Sequence, residues 1–192
     1  MLRRSIAAAA LVAALAAPAL AADYAVDPAH TQATFTVTHL AISRVSGKVP
    51  VTSGTVTLGA NDVPSAISMT LSAKDIDTQS ADRDKDLRSP DWFDTDKFPT
   101  MTFVAKSVTG TPQALSITGD LTMHGVTKPV TFTAKEIGKM TDARGRTHVG
   151  YSASATLDRR NWGLNWGRTT PGGSLIAGND VTIDLNVEIV SK

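Results

Sequence analysis

The chain has 192 residues, 19 of them Lys or Arg and 18 Asp or Glu, and no cysteine. That balance excludes the basic surface that a nucleic-acid-binding protein needs, so no nucleic acid is expected as a partner. The lack of cysteine excludes a disulfide framework and thiolate chemistry, and leaves the fold to rest on its hydrophobic core.

Met1-Leu2-Arg3-Arg4 is a short basic segment, Ser5 to Ala17 is almost all Ala, Leu and Val, and Pro18-Ala19-Leu20-Ala21 ends in a small-x-small pattern. A secretory signal peptide is expected over residues 1–21, cut after Ala21 or Ala22, too short and alanine-rich to be a stable membrane anchor. No later stretch is long and apolar enough to span a bilayer, so no stable membrane insertion is expected. Loss of Arg3 and Arg4 leaves 17 basic residues against 18 acidic ones, a near-neutral mature chain. Residues 22–192 suffice for one domain around one core, and no linker or internal repeat divides them.

From there, apolar residues alternate with Thr, Ser, Asp, Lys and Asn, as in strands with one face on a core and the other in water. Phe35, Val37 and His39 share one parity. A turn is expected at Ser46-Gly47, then a short strand from Gly54 to Leu58, then one carrying Ile67, Met69, Leu71 and Ala73.

Ser80 to Phe103 breaks this pattern. Asp82, Arg83, Asp84, Lys85, Asp86 and Arg88 come first, and Trp92, Phe93 and Phe98 follow. Ser80 is placed to cap a short helix with Asp82 and Asp84 in its first turn, and Ser89-Pro90 to start a second. After Pro99 the alternation resumes with Met101, Phe103 and Ala105. It continues through Leu115, Ile117, Leu121 and Met123; Val130, Phe132 and Ala134; Val149, Tyr151, Ala153, Ala155 and Leu157; and Val181 to Ile189. The expectation is an all-β domain of about eight antiparallel strands with a helical insertion, long strands favouring a closed barrel over a sandwich. Such a barrel is either filled by side chains or holds one small ligand. Ala33, Ala73, Ala105, Gly119, Ala134, Ala153 and Ala155 on the inward parity leave room, but composition alone does not separate the two outcomes.

Candidate chemistry is sparse. His39 is in phase with Phe35 and Val37: either a core histidine with a buried partner, or a polar contact for a ligand head group. His30, His124 and His148 are out of phase, at solvent-facing or turn positions, and no spacing fits a zinc site, so no metal is expected. The acidic run from Asp82 to Asp96 does not fit a calcium loop and reads as a solvated helix face, with Arg83 and Asp84 a candidate fixed pair. There is no nucleophile elbow, phosphate loop or cofactor motif, and Gly172-Gly173-Ser174 is an ordinary loop. Trp162 and Trp166, beyond Asp158-Arg159-Arg160, either pack the barrel end or line an entrance.

Several segments together resemble the YceI-like family. They are Asp27-Pro28-x-His30 with Phe35-x-Val37-x-His39; Asp75-Ile76-Asp77-Thr78 leading into Arg83-Asp84-x-x-Leu87; Asp91-Trp92-Phe93-Asp94 and Phe98-Pro99-x-Met101-x-Phe103; Gly119-Asp120-Leu121-Thr122 through Val130; and Arg160-Asn161-Trp162-Gly163-Leu164, with Trp162 where the family usually has Phe. The resemblance implies a lipocalin-like barrel with a long apolar tunnel, periplasmic and often dimeric. It implies a long-chain lipid as ligand, such as a polyisoprenoid, an isoprenoid quinone or a fatty-acid amide, with no cofactor and no catalytic residues. The larger Trp162 puts the tunnel's usual length in doubt.

Burying one CH₂ contributes about 0.8 kcal/mol, so one isoprene unit contributes roughly 3–4. Micromolar binding needs about 8 kcal/mol net of an association cost of roughly 4–15. A purely apolar chain therefore needs about four to six buried units. The expected ligand contacts are Phe35, Val37, Leu71, Phe93, Phe98, Met101, Phe103, Leu121, Met123, Trp162 and Trp166, with His39 and Arg83 as the polar ones. The alternatives are an enzyme acting on an isoprenoid or small substrate through His39 with Arg83 or Asp84, and, from the resemblance, an accessory protein of a membrane cytochrome of the b561 type.

Overall fold

The computed structural model describes residues 22–59 and 61–192, so the expected signal peptide lies outside the described residues. The strands are β1 (Ala22–Val26), β2 (Gln32–His39), β3 (Ser43–Lys48), β4 (Val51–Leu58), β5 (Pro64–Ser72), β6 (Thr100–Thr111), β7 (Ala114–Met123), β8 (Val126–Thr141), β9 (Thr147–Asp158) and β10 (Ala177–Ser191). One helix, α1 (Ala81–Arg88), and one 3₁₀ turn, Arg159–Trp162, complete the elements. No helix among the described residues is long and apolar enough to cross a membrane.

All pairings are antiparallel and form a closed eight-stranded barrel, although ten strands are distinguished. Proline reconciles the two numbers. Pro28 separates β1 from β2 and Pro50 separates β3 from β4, because proline cannot donate to a ladder. β1 and β2 both pair with β10, β1 with β4 and β2 with β3, so each broken pair occupies one stave. At the first break the Thr31 hydroxyl fills the gap, donating to the Glu188 carbonyl at 3.4 Å and accepting its N–H at 3.1 Å. Closure joins the first strand to the last, Tyr24 opposite Ser191 and Val26 opposite Ile189.

The inward parity forms one core, with Ile76, Val149 and Ile189 fully buried and Leu58, Leu115 and Leu157 nearly so. Some of the expected room is taken by neighbours: a Cβ on Gly119 would lie 2.6 Å from the Phe103 ring. In β6 the alternation slips at a bulge between Ala105 and Ser107, so that Val108, opposite Ile117, packs against the core.

Two local expectations are corrected. The β2–β3 turn is at Leu40-Ala41, both with positive φ (53° and 61°), not at Ser46-Gly47. Gly47 lies within β3 opposite Phe35, where a Cβ would meet the Phe35 ring at 2.6 Å, so that glycine serves close approach and not reversal. No second helix starts at Ser89-Pro90. Ser89 is the extended C-cap of α1, as a residue before proline prefers, and residues 89–99 run as turns closed by bonds such as Asp94 N–H to the Ser89 carbonyl (2.9 Å).

Candidate functional site

The stretch between β5 and β6, residues 73–99, covers one end of the barrel. It is held by directed hydrogen bonds and not by helix amphipathicity. Ser80 is the N-cap of α1 but makes no side-chain capping bond. Asp84, 7% exposed, accepts from the Thr78 N–H at 2.8 Å and the Thr78 hydroxyl at 2.6 Å. Arg83 donates to the same hydroxyl (2.7 Å) and to the Thr78 carbonyl (2.8 Å). Arg83 and Asp84 therefore act together through Thr78, without the direct pair expected from sequence. Burial raises the Asp84 carboxyl, but the Thr78 donors, with Arg88 and Arg83 nearby, hold it below the usual carboxylate range. Arg88 caps the carbonyls of Lys74 (2.7 Å) and Ile76 (2.9 Å), and Lys48 and Asp77 exchange backbone bonds that tie the segment to β3.

Beneath this cover lie two chambers. The outer one, about 330 Å³, is walled by Val37 and His39 from β2, Arg83, Leu87, Trp92 and Phe93 from the cover, and Trp166 from the loop after the 3₁₀ turn. The inner one, about 140 Å³, runs down the barrel between Leu71, Phe103, Leu121, Phe132, Ala134 and Ala153. Phe35, Val49, Met101, Met123 and Ile183 line both and lie between them. The polar side chains on the inner wall are Thr34, whose hydroxyl donates to the Asp184 carbonyl at 3.2 Å, and Tyr151.

Eleven of the thirteen expected contact residues line these chambers. Phe98 and Trp162 do not. Phe98 packs edge-on to His124, centroids 5.2 Å apart, and over Gly125. Trp162, 1% exposed, donates from Nε1 to the Leu121 carbonyl at 3.0 Å. It is a packing residue, while Trp166 is the one at the mouth.

The structure adds a residue that the sequence reading passed over. Arg159, 3% exposed, lies on the outer-chamber wall and donates to the carbonyls of Gly178 (2.9 Å), Leu164, Trp166 (2.7 Å) and Ala177 (3.2 Å). Burial lowers its guanidinium from the ordinary value, partly offset by Asp158. Asp158 itself bonds Arg160, which holds it at about 2. Continuing the inward parity of Ala155 and Leu157 by one step would have pointed to Arg159.

The remaining histidines lie away from the mouth or outside the chambers. His124 Nδ1 is 3.0 Å from the Trp162 carbonyl oxygen. His148 sits between Glu188 (2.8 Å) and Asp142 (3.2 Å), and His30 lies 2.9 Å from Asp27. Asp27, His30 and Glu188 bring their ligand atoms within 4.8 Å of one another on the outside of the barrel.

This arrangement can sequester a long apolar molecule and offers polar contacts at its mouth. Comparison with known proteins bears on it. The YceI-like domain model matches residues 24–189. A UPF0312 protein from Pseudomonas aeruginosa (strain LESB58) is 39% identical over 170 residues, covering 85% of this chain and 88% of that protein. Protein YceI from Shigella flexneri is 38% identical over 152 residues, covering 78% and 80%. Among solved structures, Burkholderia cenocepacia BcnA aligns with a TM-score of 0.72 at 17% identity, covering 85% of this chain and 98% of that one. A polyisoprenoid binding domain from Saccharophagus degradans, implicated in plant cell wall breakdown, aligns at 0.63 and 12% identity, covering 88% and 98%. At such identities the structural likenesses bear on the fold.

Proposed function

Because this chain belongs to the YceI-like family, we propose that it is a non-enzymatic carrier of a long-chain apolar lipid, exported to the periplasm by its N-terminal signal. The observation that carries this reading is the inner chamber: an apolar cavity inside the barrel, adjoining a wider, partly polar mouth. The outer chamber alone is at the lower end of the roughly 300–1,000 Å³ typical of small-molecule sites. A polyisoprenoid, an isoprenoid quinone or a fatty-acid amide all fit the need for several buried chain units. The polyisoprenoid binding domain from Saccharophagus degradans, which shares the fold, is consistent with that ligand class. His39 enters as a polar contact at the mouth and not as a base.

Native mass spectrometry of the protein purified from its own host, followed by organic extraction, tests this. The expected result is one long-chain isoprenoid or quinone per barrel. An empty protein that, after delipidation, takes up no added polyprenyl lipid overturns it.

A further inference from the structure

The Asp27-Pro28-x-His30 segment takes no part in either chamber. The break in the first stave gives it another place. As β1 ends, Asp27 donates its N–H to the Glu188 carbonyl at 2.9 Å. Pro28 then turns the chain, and Asp27 fixes the turn from within. Its Oδ1 accepts from the Ala29 N–H at 2.9 Å, and its carbonyl accepts from the His30 N–H at 3.3 Å. This leaves Asp27 Oδ2 against the His30 ring, 2.9 Å from Nδ1.

Glu188 comes from the other end of the chain. Its neighbours Val187 and Ile189 line the inner chamber, so strand alternation sends Glu188 outward. His148, from β9, lies 2.8 Å from Glu188 Oε1 and 3.2 Å from Asp142 Oδ2, and so steadies the Glu188 carboxylate from behind. A carboxylate has a second oxygen, so this bond does not exhaust it. Asp27, His30 and Glu188 thereby bring their ligand atoms within 4.8 Å of one another. Glu188 lies 158 residues beyond His30, so spacing along the chain, which pointed to no metal, could not reveal the set.

Zinc binds imidazole nitrogen and carboxylate oxygen at about 2.0–2.2 Å, so its ligand atoms span at most roughly 4.4 Å. Closing the set takes a few tenths of an ångström, within reach of side-chain rotation. The mixed donors favour a zinc-like ion over magnesium or calcium, which prefer oxygen alone. Two carboxylates match the charge of a divalent cation, and His30 is exposed, so water can complete the coordination. A histidine hydrogen-bonded to a ligating carboxylate is the kind of outer contact that orients metal ligands.

We propose that Asp27, His30 and Glu188 bind a zinc-like divalent ion on the outer face of the barrel, with His148 as a positioning residue, so that the ion clips the broken first stave to β10, the strand that closes the ring. The site is separate from the chambers and goes beyond the carrier reading.

The test uses untagged, chelator-stripped protein near neutral pH, with zinc as the probe. Titration calorimetry should give one zinc per chain. Zinc at a hundredfold excess over its dissociation constant should raise the melting temperature by about 5–10 °C. Magnesium at the same concentration should do neither. His30→Gln, and Asp27→Asn, which can keep the bond from the Ala29 N–H, should each lose about tenfold or more in zinc affinity. No zinc binding by the wild type, an equal response to magnesium, or a zinc response unchanged in both variants overturns the proposal, and none of these bears on lipid binding. Should the variants not fold, anomalous diffraction at the zinc edge from zinc-soaked wild-type crystals decides. A peak between the three side chains is expected, and its absence overturns the proposal.

Discussion

The Arg159 guanidinium lies over the Trp92 ring, 5.2 Å from its centroid, and Trp92 in turn packs on Trp166 with centroids 5.0 Å apart. A cation from β9's end thus pins the cover segment to the loop after the 3₁₀ turn. Removing it would leave several buried carbonyls without a donor as well as losing the ring contact. Arg159→Met is expected to cost about 2–4 kcal/mol, and melting followed by circular dichroism should fall by roughly 5–15 °C. Arg159→Lys should recover little, because a point charge cannot serve carbonyls spread over a fork. A variant that melts with the wild type would show that these carbonyls find other donors.

Asp84 makes its contribution through charge, and the sign is fixed by its lowered carboxyl. Its stabilisation is present above the unfolded value of 3.8 and is lost as pH falls through the lower folded value. Asp84→Asn should therefore cost about 1–2 kcal/mol in urea unfolding at pH 7. The gap between variant and wild type should close toward pH 3 and below. Faster proteolysis within residues 73–99 of the variant would locate the loss in the cover.

His148 carries the opposite sign. Its hydrogen bond to Glu188, and then that to Asp142, raise it above the ordinary 6.5 against a smaller opposing effect of burial. The stabilisation is complete below pH 6.5 and disappears as pH rises through the folded value. Melting temperature measured across pH 6 to 9 should decline more steeply in the wild type than in His148→Gln. Parallel profiles would remove His148 as the source.

Ala153 faces the inner chamber, and a larger side chain there takes space from a ligand. Ala153→Leu should displace two or three ligand carbons, about 2 kcal/mol or roughly thirtyfold in affinity for a long-chain probe. The ligand-free barrel should keep its melting temperature within a few degrees. Unchanged affinity would mean that the chain does not reach this level.

Much of this architecture is legible in the sequence because alternation is a direct consequence of strand geometry. The inward sets of β7 and β9 and the intrusive character of Ser80 to Phe103 come from that alone. What escapes is what side chains do after the backbone is set. Leu40-Ala41 makes a positive-φ turn without the Asn or Gly that normally marks one, whereas Ser46-Gly47 carries the glycine that signals a turn and makes none. The two proline breaks look like strand ends, although hydrogen bonds across them keep each stave whole. The bulge after Ala105 shifts parity in β6 without a residue that announces it. Whether Ala and Gly positions open a cavity depends on their neighbours. Phe103 fills the space at Gly119, while Ala134 and Ala153 remain on the chamber wall. Arg159 reads as one more charge at a strand end until its carbonyl partners are seen.

The pairing of Tyr24 with Ser191 also sets an order in time. The first stave pairs early with β3 and β4, but its other side stays open until the 15 residues of β10 have been made, because β10 holds β9 on one side and both β1 and β2 on the other. Contacts so distant along the chain make for slow folding, in the range of about milliseconds to seconds. During synthesis the ring has no way to shut, and the nascent chain stays open and threadable. A chain cut short before Ala177 would keep two unpaired strand edges and should aggregate instead of folding to a smaller barrel.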